Sequence, residues 1–223
     1  LFQRRTGAQD TRIRTILEQE AFVGIHKRWA RLGYPFERLV PTYATSIGSS
    51  ADRPDALTEL VGILLRDGVR ASTKRIETLH FGADTPFETR LTATPAAPDT
   101  VMNADVAAVA REAMVDVVER GTAVRARGAF ADSTGTPLVM GGKTGTGDNR
   151  IRTPLRGGGR TNIALNRTST FVFFAGDRFF GTVTAYAPGP GADAFRFTSS
   201  LPAQVLTLMG PELTSLIHAP DAR

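Results

Sequence analysis

The chain has 223 residues, 41% hydrophobic and 22% charged, an ordinary balance for a globular protein that can bury a sizeable core. Lys and Arg number 27 against 22 Asp and Glu, and no dense basic run interleaved with aromatics occurs, so the charge of +5 does not indicate nucleic acid as a partner. Cysteine is absent and histidine occurs only at His26, His80 and His218, which excludes thiolate catalysis and disulfides and leaves no local cluster for a metal.

In chain order, Ile13, Ile16, Leu17, Phe22, Ile25, Trp29 and Leu32 recur at helical spacing, predicting an amphipathic helix from Thr11 to Leu32 that Gly33 and Pro35 close. Trp29 is expected in the core. No stretch reaches the roughly 20 apolar residues of a membrane span. The opening LFQRRTGAQDTRIR has neither Met nor a targeting pattern, so the expectation is a piece of a longer polypeptide. The loop VPTYATSIGSSADRP carries Ser46, Ser49 and Ser50 as turn and cap residues. A second helix follows from Pro54, with Leu57, Leu60, Val61, Leu64 and Leu65 inward, and Gly68 stops it.

Residues 69–100 read as an irregular segment holding the strand-like pieces RIETLHF and FETRLTA. Asn103 is the N-cap of a third helix, with Val106, Val109, Ala110, Ala113, Met114, Val117 and Val118 on one face and Gly121 at its end. The period then changes. TPLVMGG is a short strand candidate, STFVFFAG and FFGTVTAYA are two longer ones, and Gly176, Asp177 and Arg178 between them mark a tight hairpin. Their near-continuous apolar character predicts a sheet covered by helices on both faces, part of that cover being a last helix from Ala192 to Met209. The expected architecture is one α+β domain: helices and connecting segment over 1–102, then helix, strands and final helix over 103–223.

The segment GGKTGTG, residues 141–147, holds one of only three lysines, the others being Lys27 and Lys74. A phosphate-binding P-loop would need glycine where Pro137 stands and a helix directly after Lys143 and Thr144, but TGDNRIRTPLRGGGR follows. An acyl-transfer site asks for something else. There a strand-borne lysine meets a substrate carboxylate, neighbouring hydroxyls donate hydrogen bonds, and a glycine lets an extended peptide approach. Lys143, Thr144, Gly145 and Thr146 supply these in order. K-T-G is the third signature of class A β-lactamases and penicillin-binding proteins, beside S-x-x-K and S-D-N.

From about Tyr34 onward the chain resembles the C-terminal part of the transpeptidase domain of penicillin-binding proteins, in particular of bifunctional synthases that carry a glycosyltransferase domain first. VPTYATSIGSSADRPDALTELVGILLRDGVR, VAREAMVDVVERGTAVRA, GGKTGTGDNR and TSTFVFFAGDRFFGTVTAYAPG carry the likeness. It implies the penicillin-binding/serine β-lactamase-like transpeptidase fold, an antiparallel sheet sandwiched between helices. The implied reaction is serine acyl transfer on the D-Ala-D-Ala end of a peptidoglycan stem peptide, with β-lactams as mimics and no metal or organic cofactor. Lys143 and Thr144 would be catalytic, and Gly145 and Thr146 would bind substrate. The implied partner is the upstream part of the same domain. The implied location is the periplasmic face of the bacterial inner membrane, reached through an N-terminal anchor outside this chain.

Two departures qualify the likeness. Gly24, Ala71 and Met140 stand three residues before the lysines, so the chain has no S-x-x-K, and it has no S-x-N. The acylated serine is then expected upstream of Leu1, or the domain is an inactive relative serving as a binding or scaffold module. A serine β-lactamase or carboxypeptidase is a third reading. Arg150, Arg152, Arg156, Arg160 and Arg167 form a basic connection able to attract acidic polymers, or simply a solvated loop. Asp148 and Asn149 are turn residues or orienters of Lys143, and Asn166 to Thr168 fits a glycosylation triplet.

Overall fold

The computed structural model describes residues 6–71, 73–74, 76–94, 96–154 and 159–218. Helix α1 (Thr6–Arg31) begins earlier than expected and ends where the amides of Gly33 and Tyr34 reach back to the carbonyls of Ala30 and Trp29, each at 3.1 Å. Gly33 adopts φ +97°, the left-handed conformation that favours glycine at a helix terminus. The apolar stripe of α1 is less buried than its periodicity predicts. Ile13, Ile16 and Leu17 are exposed, and Trp29 lies 39% exposed, edge-on to Tyr34, instead of in the core. The reason is geometric: the sheet and the other helices pack on one another and leave α1 at the periphery.

Helix α2 (Pro54–Leu65) starts on Pro54 with Asp55 in its first turn and ends through Gly68, at φ +89°. Residues 69–100 are more ordered than expected. Strand β1 (Val69–Arg70) pairs antiparallel with β4 (Asp99–Thr100), and β2 (Thr78–Phe81) pairs with β3 (Thr89–Thr92), the latter two inside the two strand-like pieces. Helix α3 (Ala104–Glu119) is capped by Asn103, whose side-chain oxygen accepts from the Asp105 amide at 2.8 Å. Its inward face is shifted from the expected one. Ala107 and Val118 are buried with Met114 and Val115 beside the core, while Val106 and Val109 face out.

The main sheet runs β5 (Met140–Pro154), β6 (Arg160–Ala175) and β7 (Phe179–Pro188), all antiparallel, with β6 central. The expected TPLVMGG strand is only the threshold of β5, which begins at Met140 and continues through the K-T-G segment. The hairpin between β6 and β7 falls at Gly176–Arg178 as expected, with Gly176 at φ +64°.

Both faces of the sheet are covered. Phe171, Phe173 and Ala175 pack with Met140 and with Ala203, Leu206 and Ile217 of α4 (Ser200–His218). Val172 and Phe174, between them in sequence, pack with Val61 of α2 and with Met114 and Val115 of α3. Helix α4 starts later than the expected Ala192, because residues 190–194 form a short 3-10 turn and 195–199 are a non-helical connection. Ser169 Oγ donates to the Thr198 carbonyl at 3.1 Å and so ties that connection to the sheet. No helix of the described residues is long and apolar enough to cross a membrane.

Gly141 and Gly142 let β5 lie flat between these layers. A Cβ on Gly142 would stand 2.4 Å from the Phe171 ring and 2.6 Å from the Val172 carbonyl, whereas one on Gly145 would meet nothing within 4 Å. Gly142→Ala is therefore expected to destabilise the protein by about 1–3 kcal/mol. Gly145→Ala should stay within about 0.5 kcal/mol of wild type. Guanidinium unfolding midpoints of the two variants check the contrast.

Candidate functional site

Strand β5 is the edge of the main sheet: one side pairs with β6, and its other side pairs with no strand among the described residues. Lys143 lies opposite Val172 and Thr146 opposite Ser169. The strand continues through Thr144 to Pro154, so no helix follows the lysine and the P-loop arrangement is absent.

Successive side chains of a strand point to opposite faces. A Cβ on Gly141 would meet the Val115 backbone of α3, and one on Gly142 would meet Phe171 on the α4 side. Lys143 and Gly145 therefore share the α3 face of the sheet, and Thr144 and Thr146 share the α4 face. Lys143 is exposed, and its Nζ donates to the carbonyl oxygen of Thr144 at 2.6 Å. No carboxylate pairs with it among the described residues, so its charge is available to an anion. A neutral carbonyl orients an ammonium without cancelling its charge.

The two threonines are engaged differently. Thr144 is 8% exposed, and its Oγ1 lies 2.6 Å from Oγ1 of Thr122. Its hydroxyl is paired with that of the exposed Thr122 on the turn after α3. Thr146 is exposed, and its Oγ1 accepts from the Ser199 amide at 2.9 Å. That leaves its proton free to be donated. Five cavities described in the molecule are lined without Lys143, Thr144, Gly145 or Thr146. The largest, about 790 Å³, lies among α2, α3 and the β6–β7 turn. Lys143 is exposed on the edge strand of the sheet.

The remaining candidates sort themselves by their partners. Arg167 is only 18% exposed at its side chain; it donates to the Phe197 carbonyl at 2.9 and 2.7 Å and to Asp148 at 3.0 Å. Arg150 bridges Asp148 and Asp193, at 3.4 and 3.0 Å. These two arginines and Asp148 are structural ties, so Asp148 does not orient Lys143. Asn149 bonds across the ladder to Asn166, at 3.1 Å. Arg156 lies outside the described residues, as do the side chains of Arg152 and Arg160.

Ser46, Ser49 and Ser50 close their own loop, Ser46 on the Tyr43 carbonyl and Ser50 on the Val40 amide and Thr45. Next to that loop, burial pushes the Asp52 carboxyl up, against the lowering effect of the Arg53 amide and guanidinium. His26 bonds to the Phe36 carbonyl, His80 to the Glu88 carboxylate and His218 to the distant Ala131 carbonyl, and no group of three His, Asp or Glu among the described residues could hold a metal.

A helix-covered antiparallel sheet with K-T-G on its edge strand defines an architecture that can be compared with solved structures. Neither a family model nor a curated protein matches the sequence. Penicillin-binding protein 1A from Haemophilus influenzae is similar with a TM-score of 0.58 at 15% identity, over 87% of this chain and 31% of that one. Penicillin-binding protein A from Mycobacterium tuberculosis has a TM-score of 0.48 at 19% identity, over 76% and 34%. A peptidoglycan synthetase from Bifidobacterium adolescentis has 0.47 at 16%, over 75% and 28%. The chain spans between 28% and 34% of the length of these structures. The fold is that of a penicillin-binding-protein transpeptidase-like domain, and at these identities the likeness speaks for the fold alone.

Arg167 gives a test of the architecture around the site. Arg167→Ala removes three charge-assisted bonds and leaves the Phe197 carbonyl and Asp148 short of a donor. It should lower stability by about 2–3 kcal/mol. Unfolding in denaturant checks this, and a change under about 0.5 kcal/mol would show the ties to be incidental.

Proposed function

We propose that this chain is the K-T-G portion of a peptidoglycan D,D-transpeptidase, which cross-links stem peptides through an acyl-enzyme on a serine outside these residues. The observation that carries the reading is an exposed lysine that, among the described residues, has no carboxylate partner and stands on a sheet edge that pairs with no further strand, with a glycine and the Thr146 hydroxyl beside it. An extended peptide can pair with such an edge, and its terminal carboxylate can meet the ammonium.

In this reading the stem peptide lies along β5. Lys143 supplies positive charge to the substrate carboxylate and to the charge that develops during acylation. Thr146 donates a hydrogen bond, and Gly145 leaves room for the peptide backbone. Thr144 serves from inside the strand. β-Lactams enter as mimics of the D-Ala-D-Ala end, and no metal or organic cofactor is required. The protein would work in the cell envelope, on the periplasmic face of the inner membrane.

One observation favours a second reading. The sequence holds neither S-x-x-K nor S-x-N, so a transpeptidase-like module that binds wall polymer without catalysis is the alternative. A fluorescent penicillin applied to the full-length protein carrying this chain separates the two. Labelling of a serine outside these residues is the expected result, with acylation slowed about 100-fold by Lys143→Ala. Absence of labelling where a control protein labels would favour the binding module. Labelling at an unchanged rate in Lys143→Ala would remove Lys143 from the site.

A further inference from the structure

Thr122 sits in the turn between α3 and the 3-10 turn Val124–Ala126, 22 residues from the strand residue it touches. Its hydroxyl oxygen and that of Thr144 are 2.6 Å apart, and Thr144 is nearly buried. The turn that carries Thr122 has little freedom. A Cβ on Gly121 would fall 2.8 Å from the Val117 Cα, the Ala123 amide donates to the Val117 carbonyl at 3.0 Å, and Ala123 is fully buried.

A short chain of contacts therefore runs from a rigid turn to the rim. Thr122 holds the Thr144 side chain, and the Thr144 carbonyl is the acceptor for Lys143 Nζ at 2.6 Å. Because side chains alternate along a strand, fixing Thr144 inward also fixes the direction in which Lys143 leaves the backbone. We propose that Thr122 is a positioning residue for Lys143, acting through Thr144 to set where the ammonium meets an anionic substrate. The proposal rests on the transpeptidase reading for its consequence in acylation, though not for the mechanical link itself.

A hydroxyl pair could also serve only to satisfy the nearly buried Thr144 hydroxyl, Thr122 itself being exposed, so the test needs a readout that such a role would not move. Two are measured in the full-length protein carrying this chain: the rate of acylation by a fluorescent penicillin, and the ¹³Cε resonance of Lys143, assigned by its loss in Lys143→Arg. Thr122→Val is expected to slow acylation about tenfold and to shift the Lys143 resonance, and Thr122→Ser to restore both. In a Lys143→Ala background, adding Thr122→Val should slow acylation by no more than about twofold.

The double variant Thr122→Val/Thr144→Val leaves no unpaired hydroxyl and so guards against misfolding; it should be as slow as Thr122→Val alone. Wild-type acylation by either variant would overturn the proposal, as would a full tenfold loss in the Lys143→Ala background. A resonance that stays in place in Thr122→Val would also overturn it. If the wild type fails to acylate while the resonance shifts in Thr122→Val and returns in Thr122→Ser, the transpeptidase reading falls and the link from Thr122 to Lys143 stands.

Discussion

Strand β6 has to feed two apolar layers at once, and the two-residue alternation of an extended chain is what lets it do so. Phe171, Phe173 and Ala175 fill the layer under α4, while Val172 and Phe174 fill the layer under α2 and α3. Burial of aromatic side chains is the largest single contribution available to a sheet of this size. Phe171 and Phe173 also stack, at 5.9 Å between ring centres. A slip of one residue in β6 would exchange the two layers, so the register is strongly specified. Everything about β5 follows from that register. Its first glycines lie where the rings of Phe174 and Phe171 come too close for any side chain, and only beyond them can the strand carry functional groups.

The rim itself is held from within. On the α4 face, Thr144 is tied to the turn after α3 and Thr146 to the amide just before α4, so both helical layers grip the edge strand. The other face carries the lysine, with a backbone carbonyl as partner and no opposing carboxylate among the described residues. Further along, Asp148, Arg150, Arg167 and Asp193 neutralise one another while pinning the segment before α4 to the sheet. Of the basic connection, Arg150 and Arg167 are structural ties. A partly buried charge network of this kind organises geometry more than it adds net stability.

Local signals in the chain carried most of the element boundaries. Pro54, Asn103, Gly33, Gly68 and Gly176 act through their own backbone chemistry, so the starts and stops they mark were legible without neighbours. The helix-covered antiparallel sheet was legible too, because unbroken apolar strands require cover on both faces. Where the reading failed, the deciding contact was distant. Helix α4 starts later than its periodicity predicts, because Ser169 and Arg167 bind the Thr198 and Phe197 carbonyls and tie that segment to the sheet. Trp29 was assigned to the core on periodicity alone, but periodicity cannot say whether another element arrives to cover a helix face.

At the site the same division holds. The order of Lys143, Thr144, Gly145 and Thr146 singles out the segment, and it is the strand conformation of β5 that sends neighbouring side chains to opposite faces. What composition and spacing could not reveal is that Thr144 points at Thr122. The two residues are 22 apart in the chain, and their meeting depends on how the turn after α3 packs against β5. The sequence by itself determined the elements, the two-faced sheet and the chemical identity of the rim. Only the tertiary structure decided which hydroxyl is buried, which is free and what holds the lysine, because hydrogen-bond partners far apart in the chain are chosen by packing and not by local preference.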